Sequence, residues 1–175
     1  NNNSKFTYNA TTPCDFKNPA ENISKWKVNG KYQIDDSCFL NLVLTGWTYE
    51  KSPYGDEKKT NNNRNNNMSW AIPSTRNEAN IGKYFVQKNW VVDVADLETF
   101  TNLSVGDIIF MDADTKNNGE FMAISHTAIV VEKDKAGDYV ALECANGLTN
   151  GVFRKIKVKD LSSKNILFVG RFMIG

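Results

Sequence analysis

A thiol, an imidazole and a polar partner for that imidazole are enough to attack and release a carbonyl, and this chain carries them in a suggestive order. Cys38 stands at the start of an apolar pattern with helical spacing. The unpaired backbone N–H groups and the dipole at such an end favour a thiolate, and the same groups can hold a developing oxyanion. His126 is the single histidine of the chain, so any imidazole chemistry belongs to it. It lies on an extended segment that pairing of 121–132 with 138–143 sets beside Glu143 and Asn146. Either of those two can orient the ring while it works as general base and then acid. Each residue also has a structural reading: buried cysteine, satisfied strand histidine, strand-end carboxylate, and an Asn146-Gly147 turn.

These residues need elements to hold them. Phe39, Leu40, Val43, Leu44 and Trp47 fall at the spacing of one buried helix face, with Leu42 adding apolar surface. Asp35, Asp36 and Ser37 are N-cap candidates, and Gly46 is a stop. A second helix is expected over 77–88, with Ile81, Tyr84 and Phe85 on one face. Extended segments follow over 107–111, 121–132, 139–142, 152–158 and 166–173, separated by turn residues. The first 30 residues read as an irregular wrap, and 50–75 as a long polar loop. Helices first and then an antiparallel meander of about five strands make an α+β arrangement in a single domain, 1–175.

Composition removes several classes of function. A chain of 175 residues, 41% hydrophobic and 23% charged, buries a core and is neither disordered nor collagen-like. With 21 basic against 20 acidic residues, the net charge of +1 argues against a nucleic-acid surface. No apolar run has the length of a membrane span. Cys14, Cys38 and Cys144 have no metal-ligand spacing, so neither a metal nor another cofactor is expected. Three cysteines allow at most one disulfide within the chain and leave at least one thiol. The sequons at Asn9, Asn22, Asn67 and Asn102 are what an asparagine-rich chain produces by chance.

Residues 104–133, Ser-Val-Gly-Asp-Ile-Ile-Phe-Met through Ile-Ser-His-Thr-Ala-Ile-Val-Val, resemble the Gly-Asp…His stretch of NlpC-type and CHAP-type cell-wall peptidases. Tyr139 to Gly147 resembles the strand with the ring-orienting residue, and Ile166 to Phe172 the closing strand. The resemblance covers about 32–48 and 100–174. It implies a papain-like fold and a cysteine hydrolase that cuts amide bonds in peptidoglycan stem peptides through an acyl-enzyme. It further implies a monomer that is secreted or delivered to the cell envelope, with an inhibitor or immunity protein as a possible partner. Trp47, Trp70, Trp90 and Tyr84 are candidates to line the cleft, although aromatic core is the stronger reading for most of them.

The nucleophile segment departs from the family pattern. The NlpC type begins its helix Asp-Cys-Ser-Gly-Phe-Val, whereas this chain reads Asp35-Asp36-Ser37-Cys38-Phe39-Leu40. Aligned on the apolar residues, Asp36 takes the nucleophile's place and Cys38 the glycine's, which describes an inactive binding or adaptor domain. Aligned on the cysteine, Ser37-Cys38-Phe39-Leu40 is similar to the Ser-Cys-Trp-Ala of papain and the Thr-Cys-Ala-Ile of amidase effectors delivered by type VI secretion. Tyr32 or Gln33, just upstream, then supplies an oxyanion donor, with Asp36 and Ser37 beside the substrate. The cysteine register is preferred, since an inactive relative has no reason to keep a thiol so near the helix start. An acyl transferase that uses the same pair shares the first half-reaction.

Overall fold

Asp35 starts the first helix by supplying what its end lacks. Its carbonyl accepts the first intrahelical bond from Phe39 (2.9 Å), and its carboxylate accepts the Cys38 N–H (2.7 Å). The helix α1 then runs Asp36–Thr45. Cys38, Phe39, Leu40 and Leu44 are buried, but Val43, assigned to the same face from spacing, is 46% exposed.

The computed structural model describes residues 5–10, 27–45, 78–92, 100, 102–113, 121–149, 151–161 and 166–173. Trp47, Trp70, Gly46, Cys14 and the 50–75 segment lie outside the described residues. The architecture is α+β and mostly sheet, with nine strands in two sheets and two helices among the described residues. The chain divides into two compact units, one of 1–76 with 145–152 and one of 77–144 with 153–175.

The first unit contains α1 and a three-stranded sheet in the order β1-β3-β2, where β1 is Phe6–Tyr8, β2 Lys27–Val28 and β3 Lys31–Ile34. Parts of the expected irregular wrap are therefore strand. Asn29 and Gly30 join β2 to β3 with φ of 51° and 79°, the left-handed pair of a two-residue hairpin whose twist suits its strands. β1 pairs parallel with β3, Phe6 opposite Tyr32 and Tyr8 opposite Ile34.

The second unit contains helix α2, Glu78–Gln87, and a six-stranded sheet in the order β4-β9-β5-β6-β7-β8, all of its pairs antiparallel. The strands are β4 Val91–Val92, β5 Ile108–Met111, β6 His126–Lys133, β7 Tyr139–Cys144, β8 Phe153–Lys157 and β9 Ile166–Gly170. Two features correct the expected five-stranded meander: β4 is a sixth strand, and β9 returns to lie between β4 and β5. The expected strand over 121–132 begins only at His126, because Phe121–Ala123 forms a 3₁₀ turn with Met122 and Ala123 left-handed, both at φ 54°.

Strand alternation gives this sheet two apolar faces. On one, Phe85 of α2 packs on Phe110 (5.7 Å between ring centres), and Phe110 stacks on Phe168 at 4.6 Å. On the other, Ile109, Met111, Ala128, Val130, Ala141 and Val169 form one buried cluster. Asp107, 1% exposed, pins the start of β5. Its carboxylate takes the Ser104 N–H (2.7 Å) and two bonds from Arg171 (2.8 and 2.7 Å). The Gly-Asp of the 104–111 segment is thus a structural clasp.

Gly170 lies where a Cβ would come within 2.5 Å of the Phe85 ring and 3.0 Å of the Phe110 ring. Both rings are fully buried and packed against each other, so neither moves aside cheaply. Gly170→Ala is expected to lower stability by about 1–3 kcal/mol. Urea unfolding followed by far-UV circular dichroism checks this, and an unchanged midpoint would contradict the packing.

Candidate functional site

His126 opens β6, and its side chain is 14% exposed. Its Nε2 lies 2.8 Å from Oε2 of Glu143, whose side chain is 4% exposed. Sheet register explains the meeting. Ala128 pairs with Glu143, so His126, two residues earlier on the same face, is the diagonal neighbour of Glu143. A β-bulge between Val130 and Glu132 is essential to this arrangement. The ladder beyond it pairs Lys133 with Tyr139. Continued without the bulge, that register would set Ile129 opposite Glu143 and turn the carboxylate to the sheet face away from His126.

Arg154 carries no sequence motif that marks it as part of a site. It stands directly opposite Glu143 on β8, and its Nε donates to Oε1 at 2.7 Å while Nη2 donates to the same oxygen. The buried carboxylate is thus divided, with one oxygen for the guanidinium and the other for the imidazole. Burial pushes the Glu143 pKa up, but the hydrogen bonds from His126 and Arg154 outweigh it and hold the carboxyl below its ordinary 4.5. Asn146, the other candidate partner for the ring, is exposed, and its side-chain oxygen accepts the Gly147 N–H at 2.9 Å. That is the geometry of a turn.

Cys38 belongs to the first unit. Asp35 is the N-cap, so Asp36 is the first helical residue and Cys38 the third. Cys38 is disulfide-bonded and 0% exposed. Cys144 is buried and outside any disulfide. The remaining cysteine of the chain is Cys14. In this oxidised state Cys38 has no thiol, so its role as nucleophile can apply only to the reduced chain.

The amide groups expected to hold an oxyanion are engaged as well. The Cys38 N–H goes to Asp35, and the Ser37 N–H goes to Oδ1 of Asp36 at 3.1 Å. Ser37 itself is buried, with its hydroxyl donating to Asp35 at 2.8 Å. Asp36 is half-buried and also accepts a long hydrogen bond from the Tyr8 hydroxyl, 3.4 Å.

Tyr32 and Gln33 are adjacent on β3, so their side chains leave opposite faces of that sheet and cannot serve one site together. The Tyr32 ring lies 5.8 Å from that of Phe6, with Lys27 over it at 5.0 Å, and the carbonyl oxygen of Gln33 accepts from Asn9. Tyr84 and Trp90 belong to the aromatic cluster around Phe85 and Phe172.

Among the described residues there is no group of three or more His, Cys, Asp or Glu that could hold a metal ion. No helix among them is long and apolar enough to cross a membrane. No family model, curated protein or solved structure matches the chain.

Two outcomes follow. Denatured without reductant, the chain should react as about one thiol with a chromogenic disulfide, and as all three after reduction. Three reactive thiols before reduction would contradict the bond at Cys38. The second concerns pH. A carboxylate whose folded pKa is depressed contributes stability that is fully present above its unfolded value, 4.5 here, and is lost as pH falls through the folded one. Unfolding free energy should therefore fall between about pH 5 and pH 3 more steeply in the unaltered chain than in Glu143→Gln. Equal slopes in urea titrations across that range would contradict it.

Proposed function

We propose that this chain is a papain-like domain of the cell-wall hydrolase kind that binds peptidoglycan stem peptides and does not cut them. The observation that carries this reading is the state of Cys38, which is disulfide-bonded, wholly buried and third in its helix. The first helical place belongs to Asp36. A carboxylate is a far weaker nucleophile than a thiolate, and the resemblance aligned on apolar residues puts Asp36 where the family has its cysteine. A disulfide also suits a protein secreted or delivered to the envelope, because such bonds persist in oxidising compartments. The peptide ligand itself rests on the resemblance of 104–133.

A second reading is favoured by the His126–Glu143 pair, an imidazole held by a buried carboxylate as general base catalysis requires. In it the reduced Cys38 attacks the amide carbonyl while His126 takes the thiol proton and returns it to the leaving amine. Water then releases the acyl group, or an amine does so in a transferase.

Purified sacculi distinguish the two. The chain is expected to co-sediment with them and to release no muropeptides, whether Cys38 is oxidised or reduced. Changing Asp36→Cys together with Cys38→Gly, which rebuilds the family's Asp-Cys-Ser-Gly order, is expected to introduce hydrolysis. Hydrolysis that needs reductant and disappears in Cys38→Ala would overturn the binding reading in favour of the hydrolase. Absence of both binding and hydrolysis would remove both.

A further inference from the structure

We propose that Arg154 is a positioning residue for His126, acting through Glu143, and that it fixes which ring nitrogen carries the proton. The Arg154 Nε (2.7 Å) and its Nη2 both donate to Oε1 of Glu143, and the remaining oxygen, Oε2, meets Nε2 of His126 at 2.8 Å. An ionised carboxylate only accepts, so the ring nitrogen facing it must be the donor. In the neutral ring the proton then sits on Nε2 and the lone pair on Nδ1.

Arg154 keeps this assignment in two ways. Its charge holds a carboxyl that is 4% exposed in the ionised form, against the cost of burial. Its fork covers Oε1, so the carboxylate cannot swing and offer the ring a different oxygen. The anchoring is strongly asymmetric: the Arg154 side chain is half exposed, while the group it acts on is buried. A surface arginine with a merely local salt bridge would be worth little. Here the bridge determines how a histidine two strands away is presented.

Among the described residues, the charged groups on or flanking the neighbouring strands include Asp107 and Asp112, flanking β5, Glu132 and Lys133 on β6, and Lys155 and Lys157 on β8. Asp107 is bound by Arg171, Glu132 by Lys155, and Lys157 by Asp134 and Asp138; Lys133 lies over the Tyr139 ring. The inference concerns the imidazole alone and goes beyond both readings of the cysteine. An absence of peptide binding or hydrolysis would leave it standing.

Because the chain has one histidine, NMR of protein carrying isotopically labelled histidine reports this ring without assignment. The unaltered chain is expected to show the Nε2–H tautomer at pH above the ring's titration. In Arg154→Gln the buried carboxyl loses the charge that keeps it ionised and the fork that covers Oε1, and the ring is expected to populate both neutral tautomers. Arg154→Lys, with the charge but no fork, should fall between the two. Circular dichroism shows whether each variant is folded. A ring found as the Nδ1–H tautomer in the unaltered protein would overturn the proposal. So would a folded Arg154→Gln protein whose neutral ring keeps the Nε2–H tautomer alone.

Discussion

One buried carboxylate and the bulge that aims it organise the functional end of the larger sheet. Glu143 ties three consecutive strands into one row, with His126 on β6, itself on β7 and Arg154 on β8. Neighbouring positions along the same face hold Ala128, Val130 and Ala141, so the row is the polar margin of an apolar cluster. A lone carboxylate there would be costly. One that receives a guanidinium on one oxygen and an imidazole on the other is satisfied, and its orientation is no longer adjustable. The bulge between Val130 and Glu132 is what allows it, since a regular ladder would put Glu143 on the other face.

The start of α1 shows a different use of carboxylates. Asp35 accepts from the Cys38 N–H and the Ser37 hydroxyl, and Asp36 accepts from the Ser37 N–H. Donors that a catalytic helix end would present to a substrate are consumed by the cap. Negative charge next to the third helical residue also works against a thiolate there, opposing the favourable dipole. The same feature that makes Asp35-Asp36-Ser37 a good helix start makes it a poor oxyanion site, and sequence alone weighs only the first effect.

Much of the fold was legible because its signals are local. The apolar stripe of α1, the Ile81-Tyr84-Phe85 face of α2 and the apolar runs of β5 to β9 all appear in the sequence at the right period. Short strands were not, since β1, β2 and β4 are two or three residues long and carry no period. The Val28-Asn29-Gly30-Lys31 turn, by contrast, carries a two-residue hairpin signal in its Asn-Gly pair. Residues 121–125 look extended, yet two consecutive left-handed residues, neither of them glycine, turn the chain before His126. Nothing in a hydrophobic pattern encodes that.

The site shows the same boundary between local and non-local information. Glu143 could be placed near His126 from the hairpin alone, because 134–138 is a tight turn closed by Asp134 on Ala136 and Asp138. Arg154 could not, since the longer 145–152 connection leaves the β7–β8 register open and only the register puts it opposite Glu143. The disulfide at Cys38 is less local still, because three cysteines permit three pairings and spacing selects none of them. Its presence changes how the resemblance is weighed. A thiol near a helix start argues for a nucleophile only while it remains a thiol. Once bonded and buried, Cys38 has a structural reason to be where it is, in an inactive relative as much as in an enzyme.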